Sequence, residues 1–426
     1  MDKPERYLLL AQKALFQIFI FLIPTQLGYH IWPSFSFIFG IRVDYFALTI
    51  YLTDFILIAI FGLFFLETIV NKKKPSRKFL TALVILFSFA AINLLFSTSS
   101  AIAFYKWVKV FELFLLGAYV VFQNKLKFFS WVLLPLLIST ILFSLIGIGQ
   151  FILQKSINGP LYYFGERSFN SLTPGIALGS IIDRLVLRAY STFSHPNSFA
   201  GFLGVGGIIV YYFSPKTKRE KIIKILALFL IALALALTLS RWVFVSILLC
   251  LIVFVLQRNN PRLFKKNTQT LVVSAIIISL IFPFLSNVLL TKGITFSESF
   301  TERLIWADRA GEMFAKNPLI GTGLNNYILK LPEAGLNPVV WKLQPVHNIL
   351  LLILTETGLI GLGLFSIVIM VALKRAVSFT KEKRSVFWVI VFIVISGLAD
   401  HYWLTLQQNQ ILLALFLGLS LKKTGT

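Results

Sequence analysis

The sequence predicts an all-α integral membrane protein, on three observations. Of 426 residues, 57% are apolar, 15% aromatic and only 13% charged, and the mean hydropathy is +0.84; soluble domains run at about 45–50% apolar and about 25% charged. Backbone amides cannot stay unpaired in hydrocarbon, so the long apolar runs must be helices or barrel strands, and they lack the alternation of strands. Lysine and arginine gather in the short segments between alternate runs, as in multispanning proteins.

The runs give about twelve transmembrane helices, at roughly 8–29, 45–70, 79–96, 101–122, 128–153, 196–213, 223–239, 242–257, 269–290, 347–373, 385–403 and 405–420. The first resembles a secretory signal in length. However, bulky His30, Ile31 and Trp32 follow it in place of a small-residue cleavage site, so it reads as a retained span. Basic clusters at 72–78, 125–127, 216–224, 258–266, 374–384 and 422–423, with Lys3, Arg6 and Lys13, hold about 26 of the 40 basic residues. The positive-inside rule puts this set, and both termini, in the cytoplasm. An even number of spans fits that parity.

The formal charge is +23, from 40 Lys and Arg against 17 Asp and Glu. It excludes an acidic binding module and calls for no nucleic acid, because the excess sits in the loops of a membrane protein. Cys250 is the single cysteine, which excludes a disulfide framework, a zinc cluster and a Cys-ligated iron–sulfur site. No adjacent acidic pair, GxSxG, HExxH or Walker motif occurs. No repeat or pair of matching halves appears, which weighs against an inverted-repeat transporter.

The face opposite the basic clusters carries two long connections, about 154–195 and 291–346. Connections of that length are usually functional or disordered, and these hold Trp, Tyr, Phe and paired charges, so they are expected to be folded and to carry the chemistry. In the second, Ser299 to Glu302 reads as a capping box, and Asn317-Pro318 ends a helix of about 16 residues. Trp306, Ala310, Met313 and Phe314 recur at helical spacing and make it amphipathic. Arg303 flanks that face; it and Arg309 either solvate the helix, pair with Glu302 and Asp308, or bind an anion. The following Gly321-Thr322-Gly323 permits a tight turn, either structural or facing an anion.

Arg241 lies between two apolar runs with Ser240 as polar company, where a guanidinium either snorkels beside Trp242 or marks a substrate site. His347, followed by Asn348, stands where the outer connection re-enters the bilayer. It can act as a general base near pH 7 or cap the helix, and Asn348 or a carbonyl can fix its tautomer. Arg188, His195 and Asn197 precede a span that Pro196 opens. Asp54, Glu112, Glu356 and Asp400 are intramembrane acids that need buried partners, Lys106 and Lys109 being the nearest for Glu112.

Four short motifs in this order resemble the O-antigen ligase and polymerase superfamily of bacterial envelope glycan enzymes. They are Thr192 to Asn197, Ser240-Arg241, Arg303 to Trp306 running into Asn317 to Gly323, and His347-Asn348 with Glu356 to Gly361. The resemblance spans about 190–365 and implies a polytopic glycosyltransferase of the bacterial inner membrane, with its active site on the outer face. It implies glycan transfer from a polyprenyl (undecaprenyl) diphosphate carrier to an acceptor hydroxyl, with inversion and without metal or other cofactor. The acceptor would be a glycan, a lipid or a protein; extension of another carrier-linked repeat would make the chain a polysaccharide polymerase. By the same resemblance Arg241 and Arg303 would hold the diphosphate and His347 would orient or deprotonate the acceptor. Arg188, His195, Asn197, Arg309 and Asn348 are expected to support substrate binding. The expected organisation is an N-terminal helical part with the first outer loop over 1–190, a ligase-like core over 191–373 and a C-terminal helical pair over 374–426. The rival of another class is a multispanning transporter using Arg241 and the intramembrane acids.

Overall fold

The computed structural model describes residues 3–423 apart from 73, 260, 293–296, 334, 336–338, 340–341 and 378–379, and the side chains of 3, 4, 257–259, 261–269 and 271 are also outside the described set. Parts of the second outer connection and the basic side chains Lys73, Arg258, Arg262, Lys265 and Lys266 therefore lie outside the described residues.

The chain is mostly helical. In order it forms α1 (Lys3–Phe21), α2 (Leu52–Val70), α3 (Arg77–Leu95), α4 (Ser100–Phe122), α5 (Leu134–Leu153), α6 (Pro196–Tyr212), α7 (Lys218–Leu237), α8 (Arg241–Asn259), α9 (Pro261–Thr291), α10 (Glu298–Lys316), α11 (Tyr327–Lys330), α12 (Ile349–Ala376), α13 (Lys381–Gly397), α14 (Tyr402–Thr405) and α15 (Gln407–Leu421). Among the described residues five helices are long and apolar enough to cross a bilayer: Leu52–Val70, Arg77–Leu95, Phe129–Leu153, Val272–Thr291 and Ile349–Ala376. They coincide with five of the expected runs and agree with an all-α membrane protein.

Several boundaries depart from the hydropathy reading. The apolar run expected over 45–70 divides at Leu52: residues 48–51 are a strand, β4 (Leu48–Tyr51), paired antiparallel with β1 (Gly28–Ile31). The β-branched and aromatic Thr49, Ile50 and Tyr51 favour that pleat, and the Asp54 carboxylate accepts from the Tyr51 amide at 2.9 Å, which starts the helix afterwards. Two further antiparallel pairs, β2 (Phe37–Ile38) with β3 (Ile41–Arg42) and β5 (Leu178–Ile181) with β6 (Arg184–Leu187), decorate the loops. The run expected over 385–403 also ends early, α13 stopping at Gly397 before Asp400 and His401.

The helix of the second outer connection exists, and its amphipathic face is as expected: Trp306, Ala307, Ala310 and Met313 are buried. It starts at Glu298 after Ser297, however, and the Ser299–Glu302 capping box does not form. The turn after it is structural. Gly321 and Gly323 have φ of 78° and 100°, and the Thr322 and Gly323 amides donate to the carbonyls of Thr355 and Glu356 at 2.9 and 3.0 Å. There α12 is broken at Gly358, with φ 64° and ψ −168°, and the Leu359 amide donates to the Pro318 carbonyl at 2.9 Å. Asn93 of α3 ties the joint together. Its amide nitrogen donates to the Ile320 and Glu356 carbonyls, and its oxygen accepts from the Leu324 amide and the Trp107 indole.

This scaffold has two chemically different ends. Helices α7 and α13 leave basic segments and run toward Thr238 and Asp400, whereas α6 and α12 begin beside His195 and His347 and run back to Tyr212 and to Lys374-Arg375. The polar residues of the candidate site therefore meet at the end of the bundle away from the basic connections.

Candidate functional site

Asp400 is the hub of that end. It follows the break after α13 and is buried at 5% exposure. One carboxylate oxygen accepts from the His401 amide at 2.8 Å, the other from the Asn197 side-chain amide at 2.7 Å. The oxygen of Asn197 accepts from Arg188 Nη2 at 2.7 Å and from Ser240 Oγ at 2.9 Å. With donors on one side and a carboxylate on the other, the orientation of the Asn197 amide is fixed by its partners. Arg188 is held further by its Nε donating to the Thr238 carbonyl at 2.6 Å. Thus the loop before α6, the α7–α8 junction and the segment after α13 are stitched together around one carboxylate.

Arg303 enters from α10. Its Nη1 donates to the Ala399 carbonyl at 2.8 Å, and its guanidinium lies over the Trp242 ring at 5.3 Å. Trp242 and Arg241 form the first turn of α8, where Arg241 is exposed. The loop after β6, the first turn of α8 and α10 thus bring Arg188, Arg241 and Arg303 to one place, and burial first, then Arg303 and Arg241, depress the affinity of Arg188 for its proton. Arg188 is lowered only to about 10, so it remains a cation at neutral pH.

His347 sits among them just before α12. Its ring stacks on Trp306 at 4.8 Å and 14°, and the edge of His401 meets it at 4.9 Å and 75°. Its Nδ1 is buried and has no hydrogen-bond partner. A polar atom in that position costs free energy unless something binds it. Burial holds the His347 imidazole well below its ordinary value against the pull of Asp400. His401 is likewise lowered to about 4 by burial, and its Nδ1 pairs with Thr405 Oγ1 at 2.8 Å. Burial alone would raise Asp400, but the basic groups around it, Arg303 among them, hold it below the usual carboxylate range. Since burial keeps both imidazoles neutral at pH 7, the standing counter-charge for Asp400 is Arg303.

His347, Asp400 and His401 present ligand atoms within 4.8 Å of one another, a donor set compatible with a divalent transition metal. The Arg303 guanidinium acts on all three groups and Arg188 on Asp400, and both repel a dication. The electrostatics suit an anion instead, gripped by arginines beside a neutral imidazole.

Of the expected site residues, His347, Arg303, Arg188 and Asn197 come together, with Arg241 at the exposed edge. His195 is in the cluster as a cap: its Nδ1 accepts from the Asn197 amide at 3.1 Å, which places its proton on Nε2. Two others are elsewhere. Arg309 lies on another side of α10 and pairs with Glu312 at 2.7 Å. Asn348 does not reach the imidazole; it accepts from the Leu350 and Leu351 amides at 3.0 Å and exchanges hydrogen bonds with Ser279. Sequence reasoning missed the role of Asp400, seen only as one acid among several, and missed His401 altogether. It also missed Tyr45, whose ring meets the edge of His401 at 5.7 Å. The signal for the first two was their adjacency, an acid–imidazole pair ending an apolar run.

Residues 226–366 match the family described as O-antigen ligase. No curated protein matches the chain.

Proposed function

We propose, on the match of residues 226–366 to the O-antigen ligase family, that the chain transfers glycan from a polyprenyl diphosphate carrier to an acceptor hydroxyl. The observation that carries this reading is the convergence of Arg303, Arg188 and His347 on Asp400 at the end of the bundle opposite the basic connections. By the positive-inside rule that end faces out of the bacterial cytoplasm, with both termini inside.

In the proposed step the acceptor oxygen attacks the anomeric carbon from the side opposite the diphosphate, and the bond to the diphosphate oxygen breaks with inversion. The diphosphate gains negative charge as it leaves, which Arg241 and Arg303 stabilise more strongly in the transition state than in the ground state. The acceptor proton passes to a nitrogen of His347, a neutral imidazole whose buried Nδ1 is unpartnered. The incoming diphosphate adds negative charge beside the imidazole and raises its affinity for that proton. Trp306 fixes the ring plane by stacking, and Asp400 positions Asn197 and His401 around it. No step requires a metal.

Both the ligase and the polymerase reading share this donor half, and the acceptor separates them. The test is binding of a short-chain polyprenyl diphosphate to purified protein. Wild type should bind, while Arg303→Gln and Arg241→Gln should bind at least about tenfold more weakly. Equal binding by all three would refute the diphosphate assignment.

A further inference from the structure

At the opposite, basic end of the bundle a cavity of about 340 Å³ opens where the start of α5, the end of α6 and the starts of α7 and α13 meet. It takes no part in the chemistry above. Its inner wall is apolar: Leu133, Ile209 and the rings of Phe129 and Phe213, which stack at 5.8 Å and 29°. Its rim is ionic and of both signs, with Lys216 and Lys381 alongside Glu220 and Glu382. Tyr212, half-buried, also lines the cavity, as aromatic side chains do at the level of lipid headgroups.

We propose that this cavity binds a phospholipid with a zwitterionic phosphate–primary ammonium headgroup, of the phosphatidylethanolamine type. Lys381 and Lys216, both exposed, supply the cationic side for a phosphate. Lys381 Nζ is already oriented by Ser214 Oγ at 2.7 Å, and Lys224, donating to the carbonyls of Tyr211 and Phe213 at 2.6 and 2.7 Å, fixes the end of α6 and adds positive charge. The N-termini of α7 and α13 point the same way and favour an anion there. Glu220 is spent on its own helix start, accepting from the Lys216 amide at 2.5 Å. Glu382 in the first turn of α13 is exposed and offers a carboxylate to an ammonium group. A purely anionic headgroup would meet that carboxylate unfavourably, and a quaternary ammonium could not donate a hydrogen bond to it. The apolar wall takes the first part of an acyl chain, so both halves of the lipid are matched by one cleft.

The test is native mass spectrometry of the detergent-purified full chain titrated with phosphatidylethanolamine, phosphatidylglycerol and phosphatidylcholine of identical acyl chains. Retention should favour phosphatidylethanolamine by about tenfold, the worth of one charge-assisted hydrogen bond. Glu382→Gln should abolish the preference over phosphatidylcholine, and the Lys216→Ala, Lys381→Ala double variant should weaken retention of all three. Both variants sit on an exposed rim, and unchanged thermal midpoints verify their folding. Soluble phosphoethanolamine should not compete at millimolar concentration; effective competition would mean a small-molecule site and overturn the lipid assignment. Equal retention of the three lipids, or a preference that survives Glu382→Gln, would overturn it as well.

Discussion

Asn197 and Asp400 are 203 positions apart and joined by a buried 2.7 Å hydrogen bond. That bond links the mouth of α6 to the segment after α13. It is also the middle of a chain that runs from Arg188 and Ser240 on one side to His401 on the other. Replacing the carboxylate by an amide would keep one acceptor oxygen and turn an NH2 donor toward the other of the two amides of Asn197 and His401, while removing the negative charge opposite Arg303. Asp400→Asn should therefore lower stability by about 3 kcal/mol, seen as a lower thermal midpoint in detergent, as well as reducing transfer. Asn197→Asp, which sets two carboxylates against each other, should be at least as harmful.

His347 holds little of the fold together, because its Nδ1 has no partner and its ring contacts are stacking contacts. His347→Gln should leave the thermal midpoint within a few degrees of wild type and lower the turnover number by about 10²–10⁴. Single-turnover kinetics with saturating donor separates the two effects.

Arg303 combines a point charge with a planar contact on Trp242 and a directed hydrogen bond to Ala399. A lysine preserves only the charge. Arg303→Lys should lower kcat/KM by about 100-fold, whereas Arg309→Lys, on the Glu312 side of the same helix, should change it by less than about twofold. Steady-state kinetics on the two variants checks both directions.

The pH dependence has a definite sign. His401 binds its proton with a pKa of about 4 when folded, against 6.5 in an unfolded chain, and His347 is displaced the same way. The unfolded state thus takes up protons first as pH falls. The stability that the neutral His401 imidazole contributes is fully present above about pH 6.5 and is lost between there and about pH 4, and His347 adds to the loss in the same direction. The slope is up to about 1.4 kcal/mol per pH unit for each ring. Thermal midpoints should fall across that window, and His401→Asn should flatten the fall.

Gly358 sits at φ 64° in the break of α12, and a Cβ there would overlap the carbonyl of Leu319. Gly358→Ala should cost about 1–3 kcal/mol from the backbone alone, with the overlap in addition. The expected result is loss of folded protein by size-exclusion chromatography.

Much of this was legible in the sequence. Hydropathy gave the membrane class, and the order of short motifs pointed to His347, Arg303, Arg188 and Asn197. What was not legible depends on contacts between distant turns. Asp400 is one of four acids in apolar surroundings, and only the fold shows that it, unlike Asp54 with its ion pair to Lys109, faces arginines and imidazoles. Arg309 looked equivalent to Arg303, but six residues of helix turn it about 120° away. The Gly321-Thr322-Gly323 turn resembled an anion cradle because glycines serve close backbone approach in both roles; here the approaching backbone is that of α12.

The central claim is that these residues form one transferase site, and consumption of a polyprenyl diphosphate-linked glycan tests it most directly. Wild type and His347→Ala would be assayed side by side with EDTA and a panel of glycan, lipid and peptide acceptors, donor binding being measured in parallel. The account predicts transfer by wild type alone, with donor bound by both proteins. Equal turnover by the two, or failure of the wild type to bind donor at all, would contradict it.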